Sequence, residues 1–297
     1  MTAAKSEEGR RSPVLVEASL LLTVFFFGTN FTAVKLVVAD VPPVLFAASR
    51  FTLAGLLLFV ISRFAEPGTR LKRGDFLPIL GLGIVGITLT QTVFTVGVGL
   101  TTAANTALVY STSPVWGMLL GFTLGLERPR LTGILGIGLS LLGVGFIVYG
   151  GLEFAGTSLV GDALILAAAV FWGSYTVLSL GLLERYPPIS LAAYAMVFGG
   201  LVAFPLSLLD PHTLNTAAID ATTWTAALYS MLFSSAFGFA AWGWGVSRAG
   251  ANRVLIYQYL VTLIGVSAGI VLLGESFGPG QLIGAAVIVA GVYLAKR

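Results

Sequence analysis

Ten long apolar stretches, separated by short polar segments, divide the sequence. Each contains about 20 mostly apolar residues, the length that an α-helix needs to cross the hydrocarbon core of a bilayer. The segments between them carry proline, glycine and charged residues, which end helices and face water. The pattern therefore predicts an all-α integral membrane protein with ten transmembrane helices. The predicted spans cover residues 14–38, 44–64, 76–98, 102–126, 131–149, 162–181, 190–209, 222–246, 254–273 and 280–295.

The basic residues fall on one side of these spans. When alternate loops are assigned to opposite sides, one side receives 14 of the 16 Lys and Arg residues, among them Arg63, Arg128, Arg185 and Arg248. Basic loops face the cytoplasm in most membrane proteins. The distribution therefore predicts that both termini are cytoplasmic and that residues 1–12 form a cytoplasmic N-terminal tail.

The chain repeats itself at a distance of about half its length. Gly28 precedes Pro42-Pro43 by the same 14 residues that separate Gly173 from Pro187-Pro188. Each half contains five predicted spans, and because five is odd, the second half is expected to be inverted relative to the first. Inverted repeats are typical of carriers that work by alternating access, with the substrate bound at the repeat interface. The two repeats cover residues 13–150 and 159–297, and together they form one membrane domain.

Several short segments are typical of one transporter family. They are Phe27-Gly28-Thr29-Asn30-Phe31, Lys35, Pro42-Pro43, Arg50-Phe51, Leu126-Glu127 and Leu273-Gly274-Glu275. In these segments the chain resembles the EamA-type members of the drug/metabolite transporter superfamily, and the resemblance extends over essentially the whole chain. It implies an exporter or exchanger of small metabolites, among them amino acids. Substrates vary widely in this superfamily, so the resemblance leaves the solute open.

Family members often carry a proline in the fourth span of each half, and this chain does so only once. Pro114 lies in the fourth span, but its counterpart in the second half is Thr262. Proline removes one helical hydrogen bond and crowds the carbonyl four residues earlier, here that of Tyr110. We therefore expect Pro114 to act as a gating kink that exposes backbone to a substrate. The alternative is a kink whose carbonyls are satisfied by Ser111 or Thr112.

The composition excludes several classes of protein. Charged residues make up 10% of the chain and hydrophobic residues 57%, whereas a soluble domain carries about 25% charged residues. The chain has no cysteine and a single histidine, His212, in a polar loop, so no metal site and no cofactor is predicted. A membrane-embedded enzyme would need clustered acids or histidines at membrane depth. Only one acid, Glu17, lies within a span, so the chain is predicted not to be an enzyme.

Polar and aromatic residues deep within the predicted spans are the candidates for a substrate site. A tryptophan at mid-membrane has no interface to join, and its indole N–H requires a partner when buried. We expect these side chains to line a central cavity between the two repeats, with ordinary core packing as the alternative for each. The candidate substrate-binding residues are Asn30, Gln91, Tyr110, Trp116, Trp172, Tyr175, Tyr257 and Gln258.

Two cations within spans are unusual enough to be assigned separately. Lys35 and Arg50 fall toward the non-cytoplasmic ends of their spans, with Asp40 between them in the chain. Charged residues at membrane depth are functional candidates, and we expect both to form an outer vestibule that attracts a substrate carboxylate. The alternative is that they snorkel to the interface or pair with Asp40. Because Glu17 is the only acid in a span, proton coupling, exchange and facilitated diffusion all remain open.

The sequence therefore predicts a secondary transporter of the cytoplasmic (inner) membrane. It is expected to export amino acids or related small metabolites. The alternatives are other solutes, such as drugs or nucleobases, or a receptor or scaffold that transports nothing. The expected partners are a small-molecule substrate and the lipid bilayer. No nucleic acid is expected, and the chain is expected to be a monomer or a weak homo-oligomer.

Overall fold

The computed structural model describes residues 2–125, 131–154, 158–210, 214, 219–276 and 278–295. Within these residues every regular element is a helix and no strand occurs, which confirms the all-α prediction for this part of the chain. His212 and Glu127 lie outside the described residues. Six helical segments are long and apolar enough to cross a bilayer. They are Val14–Val37, Pro43–Ala65, Arg73–Leu100, Leu159–Leu183, Pro188–Ser207 and Ala251–Leu273.

Seven α-helices lie before residue 155. The first begins at Thr2, so the described part of the predicted N-terminal tail continues directly into the first span. The bounds are α1 Thr2–Val37, α2 Pro43–Ala65, α3 Phe76–Gly83, α4 Thr90–Leu100, α5 Ala103–Tyr110, α6 Ser113–Thr123 and α7 Leu131–Phe154. A single 3₁₀ turn, Arg73–Asp75, precedes α3, and a π-helical stretch, Ile84–Leu89, joins α3 to α4.

The second half of the described chain has a similar order of elements. Its helices are α8 Leu159–Leu178, α9 Leu180–Leu183, α10 Pro188–Ser207, α11 Ala221–Tyr229, α12 Phe239–Ala249, α13 Ala251–Leu255, α14 Gln258–Leu273 and α15 Pro279–Ala295. A second π-helical stretch, Ser230–Gly238, joins α11 to α12. Stretches of π-helix are rare and occur often at functional sites, and neither one was predicted from the apolar pattern.

The predicted fourth span, 102–126, is broken rather than merely kinked. Helices α5 and α6 are separated at Ser111 and Thr112, and Pro114 lies in the first turn of α6, where a missing N–H costs no hydrogen bond. The hydroxyls of Ser111, Thr112 and Ser113 donate to the carbonyls three residues earlier, at 2.5, 2.9 and 2.5 Å. The carbonyls before the break are therefore satisfied locally, that of Tyr110 by Ser113 rather than by Ser111 or Thr112. A gating role for Pro114 stays a prediction.

The corresponding span of the second half is also interrupted, although it lacks the proline. Helices α13 and α14 are separated at Ile256 and Tyr257, one turn before Thr262. The Thr262 hydroxyl donates to the carbonyl of Gln258 at 2.9 Å and lies 3.2 Å from that of Ala107. Both residues of the first contact lie within α14, so this span is interrupted without a second proline at the break.

The strongest helix contacts join one half of the chain to the other. Helix α2 packs along α10, α7 along α15, α1 along α14, and both α4 and α6 pack against α8. Glycine permits the closest of these approaches. A Cβ atom at Gly173 of α8 would lie 2.4 Å from the carbonyl oxygen of Ser113 and 2.7 Å from the backbone nitrogen of Gly117. Small residues allow helices to approach this closely in membranes, where dispersion replaces the hydrophobic effect.

The two ends of the helix bundle differ in charge. We call the end that carries residues 63–75, 184–187 and 248–253 the basic end, because the described loop arginines lie there. The end that carries residues 38–42, 98–102 and 274–276 is the opposite end. Large apolar side chains, such as Leu142 and Leu263, are exposed along the sides of the bundle between the two ends, as expected of surfaces that contact lipid.

Candidate functional site

A cavity of about 40 Å³ lies where helices of the two halves meet. Its walls come from α1, α2, α4 and α5 of the first half and from α8, α12, α14 and the second π-helical stretch of the second half. It is lined by aromatic rings and by a few polar side chains. The lining residues are Phe27, Asn30, Phe31, Arg50, Phe51, Gln91, Tyr110, Trp172, Ser234, Phe239, Gln258 and Val261.

Arg50 supplies the positive charge of this wall and is only 3% exposed. Its guanidinium donates to Ser230 Oγ at 2.6 Å and to Gln91 Oε1 at 2.9 Å, and both acceptors are neutral. The Ser230 hydroxyl in turn donates to Asn30 Oδ1 at 2.5 Å. In the described part of the chain, Arg185 and Asp75 form an ion pair, but no carboxylate pairs with Arg50.

Aromatic rings compensate part of the charge of Arg50. The guanidinium carbon lies 4.5 Å from the ring centroid of Phe51 and 5.1 Å from that of Phe46. Cations are attracted to ring faces at such distances, most strongly where water is absent. A buried charge is nevertheless costly without an opposite charge. The site therefore favours a ligand that brings a negative group to Arg50.

Trp172 is the centre of the aromatic cluster in the opposite wall. Its ring stacks on Tyr175 at 5.4 Å between centroids and meets Phe27, Phe239 and Trp242 at 5.8, 5.1 and 5.4 Å. Tyr175 fits because Gly86, in the first π-helical stretch, has no side chain. A Cβ at that position would lie 2.1 Å from a ring carbon of Tyr175. The first π-helical stretch thus positions the rings that form the cavity wall.

The structure brings five of the eight candidate substrate-binding residues together in the lining, namely Asn30, Gln91, Tyr110, Trp172 and Gln258. The other three lie elsewhere. Tyr175 is buried behind Trp172, and Trp116 is half-buried, with its indole N–H directed to Thr112 Oγ1 at 3.2 Å. The Tyr257 hydroxyl donates to Glu17 Oε1 at 2.6 Å, away from the lining. Tyr257 and Gln258 are adjacent in the chain, but at the break between α13 and α14 their side chains reach different places: Glu17 for Tyr257 and the cavity for Gln258.

The side chain of Arg50 is buried inside the bundle. Helix α2 begins at Pro43, which places Arg50 about 10 Å along the helix axis from its start. Its side chain reaches the cavity instead of the interface. Pairing of Arg50 or Lys35 with Asp40 is wrong, because Asp40 accepts a hydrogen bond from Thr223 Oγ1 at 2.6 Å and forms no ion pair in the described structure.

Arg50 also borders a second space, toward the opposite end. A largely apolar groove of about 300 Å³ between α1, α2 and α11 includes Arg50 in its lining, together with Val37, Val41 and Trp224. Arg50 is therefore shared by the central cavity and by a groove beside the loops where the outer vestibule was expected. A vestibule role for Arg50 stays a prediction.

Lys35 lies at the opposite end, as the sequence suggested. Its ammonium donates to the carbonyls of Val98 at 2.9 Å and Gly99 at 3.2 Å, and also to that of Thr101. These carbonyls lie at the C-terminal end of α4, where the helix dipole favours a cation. The contacts give Lys35 a role in capping α4, and its attraction for a substrate stays a prediction.

The same loop is held from its other side by Glu275. The carboxylate accepts from the backbone N–H groups of Ala103 at 2.6 Å and Ala104 at 2.7 Å, at the N-terminus of α5. Gly269 permits this approach, since a Cβ there would lie 2.6 Å from the carboxylate. A helix N-terminus favours an anion. Lys35 and Glu275 thus fix the two ends of the α4–α5 connection with charges that complement the two helix dipoles.

The basic end has an open cleft and its own polar cluster. The cleft, of about 420 Å³, lies beside Gly121, Val177 and the residues 249–253. Nearby, Asp75 accepts from the Tyr186 hydroxyl at 2.8 Å and pairs with Arg185. Burial raises the pKa of the Tyr186 phenol above its ordinary value, and the neighbouring carboxylate adds to the rise. Tyr186 therefore remains a protonated donor at neutral pH.

Sequence reasoning missed several residues of the cavity. Ser230, which joins Arg50 to Asn30, is absent from the predicted site, as are Ser234 and the four lining phenylalanines. The serines had a signal, since Ser230, Ser234 and Ser235 recur within an apolar span. The phenylalanines had none, because an aromatic residue in a membrane helix is more often packed against neighbours or lipid than placed in a site.

The family comparison covers both halves of the chain. The model of the EamA-like transporter family matches residues 15–149 and 159–297. Among curated proteins, the "Probable terminal-alkyne amino-acid exporter" of Streptantibioticus cattleyicolor is 30% identical over 94% of this chain and 92% of its own length. The "Probable amino-acid metabolite efflux pump" of Salmonella typhimurium is also 30% identical, over 92% of each chain.

Two further matches also cover nearly the whole chain. An "Uncharacterized transporter" of Archaeoglobus fulgidus is 27% identical over 94% of this chain and 97% of its own length. One solved structure, described as "Crystal structure of protein", has a TM-score of 0.67 over 96% of this chain and 97% of its own. At 21% identity this match shows the shared fold alone.

Proposed function

The chain belongs to the EamA-like transporter family, and on that premise we propose that it is a secondary transporter that exports amino acids or related small metabolites. It is a multi-pass membrane protein, and its curated relatives are named as transporters or efflux pumps. We further propose that the chain works in the cytoplasmic membrane, that it moves its substrate outward and that it has no enzymatic activity. The names of two relatives, an amino-acid exporter and an efflux pump for amino-acid metabolites, support the substrate class.

The proposed architecture is ten spans in two inverted repeats, with both termini in the cytoplasm. Several features support it. Helical segments lie over each of the ten predicted spans among the described residues, and two of the shorter ones, Ile134–Ile147 and Pro279–Gly291, are apolar. Both halves contain a π-helical stretch followed by a broken span. The described loop arginines gather at one end, which the positive-inside rule assigns to the cytoplasm.

Arg50 is the observation that carries the choice of substrate. It is a buried cation in a cavity between the two halves, and its hydrogen-bond partners are neutral oxygens of Ser230 and Gln91. A substrate carboxylate would replace these contacts with a charge-assisted and partly bidentate interaction, which is the strongest kind that arginine forms. Amino acids and related organic acids provide that group, and the aromatic walls accept an apolar side chain.

The size of the cavity supports alternating access. A space of about 40 Å³ holds about three water molecules, so this conformation is too narrow for an entire amino acid. The wider cleft of about 420 Å³ at the basic end shares no lining residue with this cavity, whereas the groove of about 300 Å³ toward the opposite end shares Arg50 with it. We propose that this conformation is one that widens before an entire substrate can enter.

Counterflow in proteoliposomes tests the transport function. Vesicles that contain the purified protein are loaded with an unlabelled amino-acid mixture and diluted into trace labelled amino acids. We expect labelled amino acid to accumulate transiently in these vesicles and not in protein-free vesicles or in vesicles without the internal pool. Absence of uptake for every labelled amino acid, with protein that elutes as a folded species, contradicts the proposal.

A further inference from the structure

The cavity wall contains buried polar atoms without partners among the described residues. They are Nε of Arg50, Nε1 of Trp172, and both amide atoms of Gln258. The three residues are 3%, 2% and 1% exposed, and all of them line the central cavity. Native proteins satisfy nearly all of their buried polar groups, so a cluster of exceptions around one cavity indicates a place where a polar ligand binds.

The types of these atoms specify the chemistry of the ligand. Arg50 and Trp172 can only donate hydrogen bonds, whereas the amide of Gln258 both donates and accepts. The complementary ligand carries acceptor oxygens with negative charge for Arg50 and Trp172. It also carries a donor for the Gln258 carbonyl.

We propose that the cavity binds the zwitterionic head group of an α-amino acid, with the carboxylate at Arg50 and Trp172 and the ammonium at the carbonyl oxygen of Gln258. This inference rests on the proposed transport function for its biological meaning, but the binding itself does not depend on transport. A carboxylic acid without an amine leaves the Gln258 carbonyl unsatisfied. An amine without a carboxylate brings a second positive charge to Arg50.

Local structure explains why the Gln258 side chain is available. Gln258 is the first residue of α14, directly after the break at Ile256 and Tyr257. Its backbone carbonyl accepts from the Thr262 hydroxyl at 2.9 Å, while the neighbouring Tyr257 side chain turns away to Glu17. The backbone carbonyl at this position therefore has its own partner, and the side-chain amide has none among the described residues.

Two matched sets of probes separate the two ends of the head group. One set is leucine, leucinamide and 4-methylpentanoate, and the other is phenylalanine, phenylalaninamide and 3-phenylpropanoate. Within each set the side chain is constant, while the carboxylate or the amine is lost. Calorimetric titration of the full-length protein in detergent gives the affinities. We expect at least one amino acid to bind at least about tenfold more tightly than both of its analogues, because each analogue leaves a buried polar group unpaired.

Two variants test which residue binds the carboxylate and which binds the ammonium of the head group. We expect Gln258→Leu to reduce the preference for the amino acid over its deaminated analogue to below about twofold, with the preference over the amide retained. Trp172→Phe, which keeps the aromatic ring, should weaken binding of the amino acid and of the deaminated acid alike. Tyr257→Phe is the matched control, since it removes a neighbouring hydroxyl outside the cavity, and its preferences should equal those of the wild-type protein.

The wild-type titrations alone can overturn the inference, even if a variant fails to fold. Equal affinity for an amino acid and its deaminated analogue in both sets, or no binding of any probe, contradicts head-group recognition. Transport of an amino acid without such discrimination leaves the proposed function intact and removes this inference. Discrimination in binding without counterflow supports this inference and contradicts the proposed transport function.

Discussion

Arg50 is a buried cation that the protein solvates with neutral groups. A serine hydroxyl, an amide oxygen and two ring faces surround its guanidinium. Hydrogen bonds to a charged group contribute about 1.5–3 kcal/mol each, which lowers the cost of burial without introducing an opposite charge. A substrate carboxylate can replace these neutral hydrogen-bond partners more readily than it could replace a protein carboxylate, because no buried ion pair has to be broken.

Gly86 provides a test at the level of one residue. In Gly86→Ala the new methyl group would lie 2.1 Å from a carbon of the Tyr175 ring, whereas nothing lies within 4 Å of the same position at Gly81. Overpacking of this kind costs about 1–3 kcal/mol. We expect Gly86→Ala to lower the melting temperature in detergent by several degrees, as measured by thermal-shift fluorescence.

The matched control is Gly81→Ala, also in the third predicted span. It should leave the melting temperature unchanged or raise it, because alanine is favoured over glycine within a helix by about 1 kcal/mol. If both variants melt at the wild-type temperature, the packing of Tyr175 against the first π-helical stretch is not as described.

At the scale of elements, charges at helix ends hold the bundle together across the two halves. Glu275 caps α5, and Glu66 accepts from the N–H groups of Ile189 at 3.1 Å and Ser190 at 2.8 Å at the start of α10. Asp210 in turn accepts from the N–H of Val44 at the start of α2, at 3.1 Å. Each carboxylate caps a helix from the other half of the chain, so the caps reinforce packing between the halves.

Glu275→Gln tests this type of cap. The variant keeps the shape of the side chain but removes the charge that complements the N-terminus of α5. We expect a loss of about 1 kcal/mol, the usual cost of losing a cap, seen as a melting temperature a few degrees lower in detergent.

Glu184→Gln is the matched control, because Glu184 is an exposed glutamate at the basic end. It should melt within about a degree of the wild-type protein, since surface substitutions away from such contacts change stability little. A melting temperature for Glu275→Gln that equals that of this control would contradict the capping role.

The positions of the helices could be predicted from the sequence, but the breaks and π-helical stretches within them could be predicted only in part. Apolar length locates a membrane helix, so the six described helical segments that are long enough to cross a bilayer lie where the pattern expected them. A distortion at Pro114 was expected, because proline has a known effect on a helix, although the helix is broken there and not only kinked. The break before Gln258 and the two π-helical stretches were missed, since they depend on packing against other helices rather than on a local residue type.

At the scale of the whole molecule, the candidate site was predicted in part. Asn30, Gln91, Tyr110, Trp172 and Gln258 do lie together, because a polar residue deep in a span has few other places to point. Their arrangement around Arg50 was not predictable. Which side chains face the centre depends on how each helix is rotated and on the helix it packs against. The length of an apolar stretch does not determine either.

Counterflow of Arg50 variants measures whether Arg50 holds the carboxylate of a transported substrate. Arg63 provides the matched control, because it lies on the same helix and also stacks on a ring, at 4.7 Å from the centroid of Phe59, but belongs to the basic end. We expect Arg50→Gln to lower counterflow of an amino acid at least about tenfold, Arg50→Lys to retain part of it, and Arg63→Gln to stay within about twofold of the wild-type rate. Counterflow by Arg50→Gln at the wild-type rate and KM would show that Arg50 does not bind the substrate.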